Sequence, residues 1–117
     1  MSTATSAIDL YAVVQARLAQ LTFVKPLRLK EVSKKTCAAL DEGTSSDFTQ
    51  GVRLNESVAI FLDHWGMKPD QYSYAVFEKA AGCWQLVHGR IEDINVAVAC
   101  AIHTLAEQTL LSSGTHA

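Results

Sequence analysis

"YSYAVFEKAAGCWQLVHGRI", residues 72–91, is the stretch whose reading decides the fold. Tyr, Phe, Trp and Val crowd both halves, and Ala80, Ala81 and Gly82 lie between them. Aromatic and β-branched runs on either side of a Gly-bearing loop read as an antiparallel β-hairpin, with strands expected at 72–79 and 83–90. A loop of Lys79 to Gly82 sets Glu78 against Cys83, Phe77 against Trp84, Ala75 against Leu86 and Ser73 against His88. The Phe77–Trp84 pair is worth about 0.2–1 kcal/mol, and a one-residue slip would replace it by Phe77–Gln85. The opposite face carries Tyr72, Tyr74, Val76 and Val87, and is also apolar. A two-stranded hairpin is marginal in water, so its second face or open edge needs a cover. The segment "TFV" (22–24), a symmetry-related hairpin or a partner protein could supply it. An all-helical alternative stays open, because residues 71–86 contain no Pro.

Upstream, "NESVAIFLDHWG" (55–66) reads as a short helix. Asn55 is a favourable N-cap, Val58, Phe61, Leu62 and Trp65 share a face, and Gly66 ends it. "MKPD" follows as a turn, and "TSSDFTQG" (44–51) precedes the helix as a loop. "LKEVSKKTCAALDEG" (29–43) is expected to be a helix with Leu29, Val32, Thr36, Cys37 and Leu40 on one stripe and Gly43 as C-cap. "SAIDLYAVVQARLAQL" (6–21) is a further helix. Ser6 and Asp9 form a capping signature, and Leu10, Tyr11, Val14, Leu18 and Leu21 form its apolar stripe. Downstream, Asp93 to about Leu111 reads as a long apolar helix with Ile94, Val98, Ala101, Ile102 and Leu105 on one face. Val96, Ala97 and Cys100 make its flanks apolar too. Such a helix is buried on several sides, which a small monomer achieves by packing against a second copy. The expected fold is therefore α+β, with about four helices, one antiparallel hairpin and a long apolar C-terminal helix. It forms one domain over 1–117, with 1–5 and 112–117 as flexible tails.

The chain has 117 residues, enough for one domain with a core of its own. It is 49% hydrophobic and 19% charged, which fits a globular protein. No apolar run is long enough to cross a bilayer, and residues 1–7 lack the basic and apolar regions of a secretory signal. Three widely spaced Cys make a poor disulfide framework. These features lead to an expectation of a cytoplasmic, bacterial-type protein. The net charge of −2 is uneven: residues 1–35 carry +4 and residues 36–117 carry −6. The basic excess lies in "KPLRLKEVSKK", with Lys30, Lys34 and Lys35 as candidate contacts for an acidic partner. A solvated helix face is the plainer reading of that run.

No pattern announces catalysis. His64, His88, His103 and His116 form no metal spacing with one another or with the Cys, so no metal or cofactor is expected. Cys83 and His88 have opposite parity on one strand, which separates them across the sheet. Asp63 and His64 are adjacent in the expected helix and point apart. Phosphate-cradling glycine loops are absent. A winged-helix DNA regulator would read bases through residues 55–66, yet that segment carries Glu56 and Asp63 and no cation, and a helix-turn-helix over residues 60–77 would turn at Gly66 and offer only Lys68 and Gln71 as readers. The leading expectation is a small protein that binds and modulates a protein partner, such as a transcriptional regulator or an enzyme, as inhibitor or adaptor. It would act as a homodimer through Ile94, Val98, Ile102 and Leu105. The partner surface would include Lys30, Lys34, Lys35, Tyr72, Tyr74, Val76 and Val87. A DNA-binding regulator comes second and an enzyme of unfamiliar type third; no membrane role is expected.

Overall fold

The computed structural model describes residues 9–21, 27–41, 47–64 and 72–114. Among these residues the elements run α1 (Leu10–Ala19), β1 (Lys30–Glu31), α2 (Lys34–Asp41), β2 (Phe48–Arg53), β3 (Val58–Asp63), β4 (Ser73–Ala80), β5 (Cys83–Ile91) and α3 (Ile94–Gly114). The five strands form one antiparallel sheet in sequence order. The class is α+β, but with three helices and a five-stranded sheet in place of four helices and a lone hairpin.

The difference turns on residues 55–66. Val58 to Asp63 is the central strand and is buried on both faces. A continuous apolar run of that length fits a buried strand as well as a buried helix, and length arbitrates for strand. Asn55, expected to cap a helix, instead closes the turn before β3. Its side-chain oxygen accepts from the backbone N–H of Ser57 (2.8 Å) and of Val58 (2.7 Å). The same acceptor chemistry that caps helices also closes Asx turns. Trp65, Gly66 and the expected turn at 67–70 lie outside the described residues. So do the "TFV" segment, Ser6, Gly43 and the tail 1–5.

The other boundaries also moved. Residues 48–51, expected in a loop, open β2. Helix α2 begins only at Lys34, because Ser33 accepts from the Thr36 N–H (3.2 Å) while Lys30 and Glu31 pair with Arg53 and Val52. Helix α1 starts at Leu10 behind an Asp9 cap whose carboxylate accepts from the Ala12 N–H (3.3 Å). Residues 112–114 belong to α3, not to a tail.

The hairpin of β4 and β5 has a tighter turn than expected. Ala81 (φ 53°) and Gly82 (φ 81°) alone connect the strands, both with left-handed backbone. This is the two-residue turn whose twist matches that of the strands. Consequently Lys79 faces Trp84 and Phe77 faces Leu86, a shift of two residues that keeps Phe77 and Trp84 on the same side of the sheet.

Two cores result. Helices α1 and α3 cover one face, where Leu10, Val14, Val52, Leu54, Val58, Ile60, Leu62, Val76, Ala97, Val98 and Ala101 are fully enclosed. Each large aliphatic side chain so buried contributes about 1.5–3 kcal/mol. On the other face α2 packs on β2 and encloses Cys37, Phe48, Ala59, Phe61, Ala75 and Phe77. Phe61 is the centre there, with ring centroids 5.6 Å from Phe48, 5.1 Å from Phe77 and 6.2 Å from Trp84. Gly51 sits directly opposite Phe61 on β2, and its lack of a side chain makes room for that ring.

Candidate protein-binding surface

Strand β5 forms one edge of the described sheet. Unlike the buried central strands, it is exposed along most of its length. Leu86 is 59% exposed and Val87 43%, and with Val96 they are the exposed large hydrophobics among the described residues. The strand is also irregular. Its register slips between Phe77–Leu86 and Val76–His88, and again before Tyr74–Ile91. Two extra residues therefore lie in β5, and Arg90 carries a left-handed backbone (φ 51°) at the second. Bulges of this kind twist an edge and interrupt the outer hydrogen-bonding row. Cys83 to Leu86 remains regular.

Trp84 anchors the surface next to that segment. Its ring is half-buried, edge-on to Phe61, with the Arg53 guanidinium and the Lys79 ammonium each 5.7 Å from its centroid. Arg53 comes from β2 and can reach so far because β3 contributes only the small Ala59 at that level. Arg53 also donates to the Glu56 carboxylate (2.9 Å) and backbone oxygen (2.9 Å). Lys30 lies directly opposite Arg53 on β1, on the same face. Lys30 and Lys79 have no carboxylate within ion-pair distance among the described residues.

The expected partner residues do not form one surface. Tyr74 and Val76 are buried under the helices, and Tyr72 is half-buried beside them. Of the Tyr and Val residues in that set Val87 alone is exposed, and it lies at the first register shift of β5. Lys30 points to the Trp84 face, whereas Lys34 and Lys35 are on α2. The basic stretch is thus split between a strand and a helix instead of lining one helix face. Burial pushes the Tyr74 hydroxyl above its usual pKa, and Tyr72 and Asp93 add to the shift.

The expected dimer stripe packs mainly inside the chain. Val98 is fully buried against the sheet, and Ile94, Ile102 and Leu105 are half-buried against the same core. The outer side of α3 carries Val96, Ala99, His103 and Ala106 instead. Between α1 and α3 runs a predominantly apolar groove of about 460 Å³, lined among others by Arg17, Leu21, Ala99, Ile102 and Ala106. His103 meets Glu107 at 3.0 Å on the exposed side of α3.

The remaining titratable groups among the described residues are dispersed. Cys83 and Cys100 are free thiols, and burial together with Glu107 pushes the Cys100 thiol up, away from the reactive thiolate. The first bulge brings Cys83 and His88 to one side of β5, against the parity expected from the sequence. Their cross-strand partners Ala80 and Val76 are nevertheless four residues apart, about 13 Å of strand, which keeps them out of contact. Among the described residues no group of three or more His, Cys, Asp or Glu could hold a metal ion. No described helix is long and apolar enough to cross a membrane.

Sequence reasoning missed Arg53, Lys79 and Leu86. Leu86 was within reach, because it shares the parity of Trp84 on one strand. Arg53 and Lys79 meet Trp84 only through the pairing of β2, β3, β4 and β5, and no local pattern carries that pairing. Comparison with protein-family models, with curated proteins and with solved structures finds no match for this chain.

Proposed function

We propose that the protein binds and modulates a protein partner, as an inhibitor or adaptor, and that β5 with the Trp84 face is the surface it uses. The observation that carries this reading is the exposure of adjacent Leu86 and Val87 on an edge strand, beside a half-buried Trp ringed by cations. Apolar side chains grouped at a sheet edge cost free energy in water, and a partner that covers them recovers it. Trp, with Arg beside it, is the composition enriched at the energetic centres of protein interfaces.

The working unit is proposed to be a cytoplasmic homodimer. Support comes from exposed Val96 and from the apolar groove between α1 and α3, which would receive the small-residue side of a second α3. The DNA-binding alternative has less to stand on, since its winged-helix recognition segment coincides with the buried central strand and the end of its helix-turn-helix segment lies in β4.

Affinity capture with the full chain in its native cells tests the reading. One discrete protein should be retained by the wild type and lost with both Leu86→Asp and Val87→Asp, each folded by circular dichroism. Retention unchanged in both variants, or no protein retained at all, would overturn it. Sedimentation at tens of micromolar, on the order of the concentration a modest interface needs, should give a dimer that Val96→Asp converts to monomer. A wild-type monomer there would remove the homodimer.

A further inference from the structure

We infer that the Trp84 face takes a short extended segment of the partner that carries carboxylates close to a large apolar side chain. This inference rests on the proposal that β5 is a protein-binding strand, and it adds the chemistry of the occupant.

Three cations converge on this face although the chain as a whole is net −2. Lys30 stands directly across from Arg53, and both Arg53 and Lys79 lie over Trp84. Like charges directly opposite on a sheet repel, so this face is electrostatically unsatisfied in the chain alone. The one carboxylate that answers it, Glu56, is 91% exposed at the side chain and forms a weak surface pair. Incoming carboxylates can join or replace Glu56 at Arg53, and others can pair with Lys30 or with Lys79.

The positive and apolar parts lie side by side, since Lys79 on β4 and the Arg53 guanidinium meet at Trp84, two residues along β5 from Leu86. Lys30, Arg53, Ala59, Phe77 and Leu86 are successive cross-strand neighbours, one on each strand, and because Ala59 and Phe77 are buried an occupant touches the two ends of this row and the Arg53, Lys79 and Trp84 side chains between them. At about 4.8 Å per strand the row is about 19 Å long. An extended chain covers that distance in about six residues. Alternate residues of such a chain face the sheet. Those toward β1 meet Lys30, those over Trp84 meet Arg53 and Lys79, and one at the β5 edge meets Leu86. The bulges of β5 interrupt its outer row, which favours a segment lying across the face over one added along the edge.

A single-stranded nucleic acid would also meet cations and an aromatic ring. It would need the Trp84 ring face for base stacking, where Arg53 and Lys79 already lie, and it offers nothing apolar to Leu86.

Selection of phage-displayed random peptides of about twelve residues on the folded wild-type chain tests the inference. Recovered peptides should be enriched in Asp and Glu together with Leu, Ile, Phe or Met. In fluorescence anisotropy the double variant Arg53→Glu with Lys79→Glu should weaken them about tenfold or more, added salt should weaken them further, and Lys34→Glu on α2 should leave them unchanged. A labelled oligouridylate should bind more weakly than the peptides. Failure to recover any peptide, equal binding by the double variant, or tighter oligouridylate binding would overturn the inference. Neutral or basic peptides that bind wild type but not Leu86→Asp would overturn the acidic chemistry while leaving β5 as the interaction strand. Peptides indifferent to Leu86→Asp would defeat both.

Discussion

Replacing Gly51 by Ala should unseat the aromatic centre of the sheet. A Cβ at Gly51 would lie 2.6 and 2.7 Å from two carbons of the Phe61 ring and 2.9 Å from Cβ of Val32. Carbon atoms rest at about 3.5–4.0 Å, so the shortest of these overlaps is about 0.9 Å. Neither neighbour can yield easily. Phe61 is fully buried and held by Phe48, Phe77 and Trp84, and the Val32 atom moves only with its backbone. Overpacking of this kind costs about 1–3 kcal/mol. Restricting the unfolded chain by a Gly-to-Ala change returns about 0.4–1 kcal/mol. The net loss should be about 1.5 kcal/mol. With an unfolding entropy of about 2.1 cal/mol/K per residue, that lowers Tm by about 6 °C. Urea unfolding should move its midpoint at unchanged slope. Adding Phe61→Leu should cost less in the Gly51→Ala background than in the wild type, because the smaller side chain relieves the overlap. A Gly51→Ala protein as stable as the parent would refute the register of β2 on β3.

Three further outcomes follow from the same structure. Ala81→Asn should raise stability by about 1 kcal/mol in thermal melts, because Asn tolerates the left-handed backbone that Ala81 holds and completes an Asn-Gly turn; a lower Tm would contradict the two-residue turn. Trp84→Ala should cost about 2 kcal/mol, less than the 3–5 kcal/mol typical of a fully buried aromatic, since the ring is half-exposed; a loss at the upper end would mean a deeper burial than the structure has. Stability should fall as pH rises above about 10, because Tyr74 in the unfolded chain ionises at its ordinary value while the folded chain resists ionisation there; Tyr74→Phe should flatten that fall, and an identical alkaline limb in both proteins would exclude Tyr74 as its cause.

Much of the helix and hairpin content was legible because it is local. The stripe Leu10, Val14, Leu18 has a helical period and packs as such, and the aromatic runs around Ala81-Gly82 carry their own turn signal. The central strand was not legible. Val58–Asp63 is buried on both faces, so the alternation that marks a strand is erased, and Asn55 serves a turn as readily as a helix. The first helix boundary was blurred by two acceptors, Ser6 and Asp9, of which Asp9 forms the cap. The amphipathic reading of α3 placed Val98 at an interface between copies, yet a sheet of the same chain occupies that face. The Trp84 surface needed long-range pairing, since Arg53, Lys79 and Trp84 come from three strands. The bulges were invisible for the same reason: two extra residues in β5 acquire meaning only against β4.

Site-specific photo-crosslinking in the native cell tests the central claim most directly. A benzoylphenylalanine placed at Leu86 on β5 should form an adduct with one discrete protein partner. The same group placed at Ala106, on the outer side of α3, should yield an adduct of two copies of this chain and none with that partner. A partner adduct from Ala106 with none from Leu86 would move the binding surface to the helices and contradict the account.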